Sequence, residues 1–397
     1  MRKGTGLFRR MTVRRRSSGS GRKQNGRTFG RKSGRLMNAL PVAVFTILLI
    51  ICTFSNAPFE NGEDGKEVLS SVRNVLGDLL SSHGGAGGGE TADDGSDEDT
   101  TLKELAAISG ETIRVLMTET GEIREVPLEE YTACVVASEM PADFEMEALK
   151  AQAVAARTYA AARKKDFEED QCAHSDDGAY VCDATHCQVY RDEAALEEVK
   201  GSQWMKESFL KILRAVSQTA GEVLYYGGEL VEQPLFFSSG GDRTENSEDV
   251  FVSTIPYLRS VESGDYEAES PYNSVKTEIG LQELRSELAA GYGEAEAQSV
   301  TPDNISILGR TEGGAVSEIR FGDLTLTGRQ VRELLNLKSA DFEISVTGDT
   351  VTFVTSGSGH RVGLSQYGAD GMAEQGSDYT EILSHYYSGI NIGQIGK

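Results

Sequence analysis

The sequence predicts an α+β fold, with helices and antiparallel strands in one large extracytoplasmic domain carried on a single transmembrane helix. Three observations lead there. Segments with helical spacing are interspersed with short alternating segments and turn residues, without a βαβ period and without an internal repeat. A run of 19 uncharged, strongly apolar residues lies near the N-terminus. Charge is segregated: residues 1–36 hold 13 Lys or Arg and no acid, leaving 26 basic against 62 acidic residues in the rest of the 397-residue chain. So acidic a body repels nucleic acid, and no nucleic-acid partner is expected.

The arm, residues 1–35, mixes basic residues with Gly and Ser and reads as disordered, a topology signal on the cytoplasmic side. Residues 36–54 are the apolar run. At ~1.5 Å per residue it reaches about 28 Å, close to the thickness of a hydrocarbon core. Pro41 falls where a helix tolerates it, near the start. A cleavable signal is the competing reading. The long basic leader and the lack of a small-residue cleavage site after Phe54 point to an uncleaved anchor, with the bulk of the chain outside. Within residues 55–102, Val68, Leu69, Val72, Val75, Leu76, Leu79 and Leu80 form a helical apolar stripe, and a Gly-rich acidic linker follows from His83. Residues 103–397 are expected to form the folded domain.

That domain opens with strands over 112–117 and 122–126 around Thr120-Gly121. Two helices follow, meeting at Pro141. The first begins at Pro127, a residue suited to an opening helical turn, and ends at Glu139 or Met140, because the residue before a proline is pushed out of the helical region. Asp143 is a candidate cap for the second, which is rich in Ala, Leu, Lys, Gln and Arg. Further helices are expected over 202–218, 281–290 and 328–335. Hairpins are expected over 222–233 and 342–354, and a strand or hairpin over 317–326.

Glu139 therefore sits at a helix–helix corner, where a side chain can face a cleft. Lys150 and Arg157, seven residues apart, share a face of the second helix. Cys52 lies in the apolar run and Cys134 in the first helix, while Cys172, Cys182 and Cys187 cluster. In HSDDGAYVCDATHCQVY, His174, Cys182, His186 and Cys187 are a complete tetrahedral donor set for zinc, at a spacing that matches no common zinc finger. A Cys182–Cys187 disulfide is the alternative in an oxidising compartment, and Cys172 is a spare donor.

EYTACVVASEMP followed by EALKAQAVAARTYA resembles the signature of the stage II sporulation protein D family, whose domain the amidase-enhancer proteins share. PLFFSSGGDRTENSEDVF and GSGHRVGLSQYGADGMAEQGSDYTEILSHYYSG extend the resemblance over about 280 residues. It implies a membrane-anchored lytic transglycosylase that cuts peptidoglycan glycan strands stripped of stem peptides during engulfment of the forespore. The implied partners are the stage II sporulation protein P amidase and stage II sporulation protein M. The rival reading is a non-catalytic wall-binding enhancer of an amidase. By this resemblance Glu139 is the single general acid and base. Lys150, Arg157, Ser238, Ser239, Thr244, His360, Ser365, Gln366 and Tyr367 face the glycan, and CDATHCQVY fits relatives that bind zinc. Family members usually carry Gly where Arg361 stands and Met where Leu364 stands.

Overall fold

The computed structural model describes residues 101–165, 172 and 178–396. The basic arm, the apolar run 36–54, the stripe after it and His174 lie outside the described residues. Among the described residues no helix is long and apolar enough to cross a membrane.

Helices and strands are mixed, as the α+β expectation requires. A capped helix α1 (Leu102–Ser109) leads into the hairpin β1 (Thr112–Met117) and β2 (Glu122–Pro127). Pro127 ends β2 and stands at the N-cap of α2 (Leu128–Glu139), whose first turn carries Glu129 and Glu130 toward the positive end of the helix dipole. At the far end Met140 is extended, with φ −122° and ψ 141°, as its neighbour Pro141 requires. Helix α3 (Met146–Lys165) begins three residues after Asp143.

Helix α3 is the axis of the larger lobe. Nearly all of it from Ala148 to Ala162 is buried, and most of those residues are Ala. Small side chains all round let α2, α5 (Ser202–Gln218), α10 (Gln366–Glu374), α11 (Tyr379–Tyr386) and β4 (Glu222–Tyr226) all pack against it. The strand β3 (Val181–Cys182) adds in parallel to β1, and α4 (Glu193–Lys200) precedes α5. Helix α5 buries one stripe of Phe209, Ile212, Leu213 and Val216, the pattern of a half-buried helix. Strand β4 lies between β5 (Glu229–Leu230) and the final strand β14 (Ile390–Gln394).

Strand β6 (Phe236–Phe237) pairs in parallel with β13 (Leu364–Ser365). Between them the chain forms the short helix α6 (Ser247–Val250) and then a second lobe with its own apolar core. The lobe runs β7 (Val275–Gly280), α7 (Leu281–Tyr292), α8 (Glu294–Gln298), β8 (Ile305–Arg310), β9 (Val316–Phe321), β10 (Leu324–Leu326), α9 (Gly328–Leu335), β11 (Phe342–Thr347) and β12 (Thr350–Thr355). Its sheets are ordered β10-β9-β8 and β11-β12-β7, all antiparallel. Leu284, Leu288, Val300, Ile319, Phe321, Val331 and Phe353 are fully enclosed there. Val275 pairs with Thr355, so the lobe enters and leaves at one point. The described part of 103–397 thus contains two large apolar cores and a small cluster of Leu116, Cys172, Ala179 and Cys182.

Arg361 joins the two lobes. It holds φ +63°, a left-handed conformation that glycine adopts without penalty and a side-chain-bearing residue adopts at a cost. The buried guanidinium donates from Nε to the Gly240 carbonyl at 2.8 Å and from Nη2 to the Gly313 carbonyl at 2.8 Å, with Asp341 Oδ2 at 3.1 Å from Nη1.

Candidate active site

Glu139 is the last residue of α2, half-buried at the corner made by Pro141. Its Oε1 accepts the backbone N–H of Val189 at 2.6 Å. Burial pushes the carboxyl above the ordinary glutamate range, against the opposing pull of that hydrogen bond and of Arg191. The neighbours expected to desolvate it divide: Val135, Val136 and Met140 are buried, whereas Pro141 is exposed. The result is a fixed carboxyl that keeps its proton to higher pH than a solvated one, the property a general acid needs.

Arg157 requires a correction. It does not line a cleft: its side chain and that of Glu129 are both 0% exposed. Nε lies 2.9 and 3.0 Å from the two Glu129 oxygens and Nη2 lies 2.6 Å from Oε2, while Nη1 donates to the Glu222 carbonyl. Glu129 also accepts the Gly221 N–H at 3.0 Å. This is a strut that ties α2, α3 and the start of β4. Lys150, one face with Arg157 along the helix, goes elsewhere: Nζ pairs with Glu147 at 2.7 Å and lies over the Tyr379 ring at 5.7 Å. Among the described residues no hydrogen bond or ion pair joins Glu139 to Lys150, Arg157 or His360.

Several hydroxyls expected at the surface also turn inward, and their assignment to glycan contact is corrected. Ser239, Thr244 and Ser365 are fully buried. Thr244 Oγ1 accepts the Val261 N–H at 2.9 Å. Ser239 Oγ donates to Glu267 Oε2 at 2.7 Å, Ser263 Oγ donates to Oε1 at 3.0 Å, and the Gly240 N–H donates to Oε1 at 2.8 Å. Ser365 donates to the same Oε1. Glu267, which sequence reasoning missed, is therefore the buried hub holding the Ser238–Gly241 loop to the start of α10. Burial raises its carboxyl while these donors lower it, and burial prevails. No local sequence signal separates it from the chain's many surface glutamates.

Three expected residues do converge near the corner. The Tyr367 N–H donates to the Ser238 carbonyl at 3.0 Å. The Tyr367 ring meets Phe144, just after the corner, at 5.0 Å between centroids, and Tyr272 at 6.0 Å. Asp370 Oδ1 accepts the Glu145 N–H at 2.6 Å, and burial pushes its carboxyl up to about 6. Gln366 Nε2 donates to Gln152 Oε1 at 3.3 Å, joining α10 to α3. His360 faces away from this group. Its ring sits between Phe237 and Phe251, Nδ1 accepts the Val362 N–H at 3.1 Å, and burial, aided by Arg332, pushes it down to about 4. It is a neutral histidine at neutral pH.

Among the described residues, Cys172, Cys182, His186 and Cys187 bring one ligand atom each to within 4.8 Å of one another; His174 lies outside the described residues. His186 Nδ1 lies 3.7, 3.9 and 3.4 Å from the Sγ atoms of Cys172, Cys182 and Cys187, and the Cys187 and Cys172 sulfurs are 3.7 Å apart. A zinc with bonds of about 2.3 Å to sulfur and about 2.0 Å to nitrogen has tetrahedral edges of about 3.8 and about 3.5 Å; the spacings just given lie near these, while the set as a whole spreads to 4.8 Å. None of these cysteines forms a disulfide. The cluster adjoins the corner, because Val189 follows Cys187 by two residues.

A proton-holding glutamate thus ends α2 at the Pro141 corner, tied to the segment that follows the thiol-and-imidazole cluster. Residues 117–226 match the family model described as stage II sporulation protein. The chain is 36% identical to stage II sporulation protein D of Bacillus amyloliquefaciens over 356 residues, 88% of this chain and 93% of that one. It is 35% identical to stage II sporulation protein D of Bacillus subtilis, with the same coverage of both. The amidase enhancer of Bacillus subtilis is 29% identical over 65% of this chain and 39% of its own. The chain belongs to the stage II sporulation protein D family.

Proposed function

We propose that this protein is a membrane-anchored lytic transglycosylase that cuts peptide-stripped glycan strands of peptidoglycan during sporulation, with Glu139 as its general acid and base. The observation that carries the reading is the Glu139 carboxyl, which is half-buried, raised in pKa and fixed through one oxygen by the Val189 amide. Protonated, it donates to the departing glycosidic oxygen. As a carboxylate, it takes the proton of the muramic acid C6 hydroxyl as that hydroxyl closes on the anomeric carbon. One carboxyl suffices because the nucleophile belongs to the substrate, whereas glycoside hydrolysis ordinarily needs two. The likeness to an amidase enhancer supports a second reading, a wall-binding module without catalysis. Mass analysis of products from peptide-free strands separates the two. Anhydromuramyl ends are expected, reducing ends mean hydrolysis, and no products mean binding alone.

The proposed partners are the stage II sporulation protein P amidase and stage II sporulation protein M, working at the engulfing membrane, by family resemblance. The anchor rests on the uncharged run 36–54 and the basic arm before it. Protease added to intact protoplasts is expected to remove the acidic domain and spare the arm; a protected domain overturns the topology.

The metal proposal is a structural zinc held by Cys172, Cys182, His186 and Cys187, supported by the donor set and the closeness of its ligand atoms. Four protein ligands leave no open position, so the ion fixes the loop that presents the Val189 N–H to Glu139. Chelation is expected to lower the melting temperature, with activity falling as the loop loosens. Cys182→Ser with Cys187→Ser is expected to do the same with or without reductant. Folded protein purified under reducing conditions with well under one equivalent of zinc sinks the proposal.

A further inference from the structure

A cavity of about 530 Å³ lies between the two lobes, within the range of about 300–1,000 Å³ usual for small-molecule sites. Phe251 and His360 from the larger lobe line one part of it, and Arg329 and Arg332 of α9 line another. The acids around it are engaged. Glu248 accepts from Arg259 at 2.7 Å, Asp249 from Asn246 at 3.1 Å, and Glu333 from Arg329 Nε at 2.9 Å. Glu245, 1% exposed, uses Oε1 on the Ala315 N–H at 3.0 Å and faces Arg361 Nη1 at 3.6 Å. One group is left over. The half-buried Arg332 guanidinium has no ion-pair or side-chain hydrogen-bond partner among the described residues, and burial pushes its pKa down. A partly desolvated cation without an acceptor is costly to keep, and its planar fork matches a carboxylate.

We propose that this cavity is a binding site for a carboxylate-bearing sugar, the muramic acid unit of a peptide-stripped strand, with Arg332 receiving the lactyl carboxylate. The inference rests on the glycan reading above and deepens it. Removing the stem peptide converts a neutral lactyl amide into a carboxylate, and only the carboxylate makes a two-bond ion pair with a guanidinium. Phe251, beside His360 on the opposite part of the lining, offers an apolar face to the C–H side of the ring. Together Arg332 and Phe251 give the protein a means of distinguishing stripped strands at a site apart from Glu139.

Calorimetric titration of the full chain in detergent tests this with N-acetylmuramic acid, its lactyl methylamide, N-acetylglucosamine, acetate and inorganic phosphate. The expected result is that the acid binds at least tenfold more tightly than the amide or N-acetylglucosamine. R332Q is expected to abolish that preference, R332K to keep part of it, and E139Q to leave it intact. Equal binding of acid and amide by the wild-type chain overturns the proposal, whatever the variants do. So does an unchanged preference in R332Q, or acetate and phosphate binding as tightly as the sugar acid. Anhydromuramyl products without acid-over-amide discrimination defeat this inference alone. Discrimination through Arg332 without any cleavage upholds it and defeats the catalytic reading instead.

Discussion

Replacing Glu139 with Gln is expected to lower the cleavage rate by roughly 10² or more while the protein still folds and binds glycan. The amide keeps the shape and still offers an oxygen to the Val189 N–H, but it has no proton to exchange with the glycosidic oxygen. The pH dependence has a definite sign. Burial raises the carboxyl's pKa in the folded protein, so the acid form persists to higher pH, and activity falls as pH rises through that raised value. Stability follows the same group. Between the ordinary glutamate value of about 4.3 and the raised folded value, the unfolded chain gives up its proton while the folded chain keeps it. Rising pH in that window therefore costs stability, and the loss is complete above the folded value. E139Q escapes this cost. At neutral pH it is expected to melt at or above the wild-type temperature, with the gap closing under acid. Wild-type cleavage by E139Q overturns the assignment.

The largest expected effect on stability comes from the strut at the centre of the larger lobe. Arg157→Met leaves Glu129 with a fully buried charge and no cation, a loss of about 3–5 kcal/mol. Removing both partners, as Glu129→Leu with Arg157→Met, removes the orphaned charge as well and is expected to recover most of that loss, since a well-packed apolar pair often does as well as a buried ion pair. Urea unfolding of the single and double variants measures it. If R157M unfolds like wild type and loses only activity, Arg157 acts on substrate and the structural account fails.

The difference between Arg157 as expected and as found shows where sequence reading stops. Its position on α3 was legible, and so was the corner at Pro141, because both follow from helix geometry and proline sterics. The segments 202–218 and 328–335 and the hairpin around Gly348 were legible for the same local reasons. What lies around Arg157 was not. A helix whose alanines are buried on every side has no polar face to read, and the partner Glu129 comes from another helix 28 residues earlier. Strands β7 and β8 were missed because β7 alternates weakly between charged and apolar residues and β8 is only half-buried. The inward turn of Ser239 and Ser365 depends on Glu267, which comes from a third segment. The nearness of Cys172 to Cys182, His186 and Cys187 is likewise a matter of three-dimensional proximity, since the sequence made His174 the ligand and Cys172 only a spare.

The parallel pairing of β6 with β13 has a kinetic consequence. Phe237 and Ser365 are register partners across more than a hundred intervening residues, and closing so long a loop in an unstructured chain is slow because its entropy must be lost before the contacts reward it. The second lobe shortens that search. Its first strand, β7, pairs with its last, β12, which sets Val275 beside Thr355, and its core draws on no residue outside the lobe. Once it has folded, residues 238–274 and 356–363 are all that remain to be closed. Refolding is therefore ordered from the inside outward: the interruption between the two halves of the β6–β13 seam forms early and acts as the splint across which they find each other.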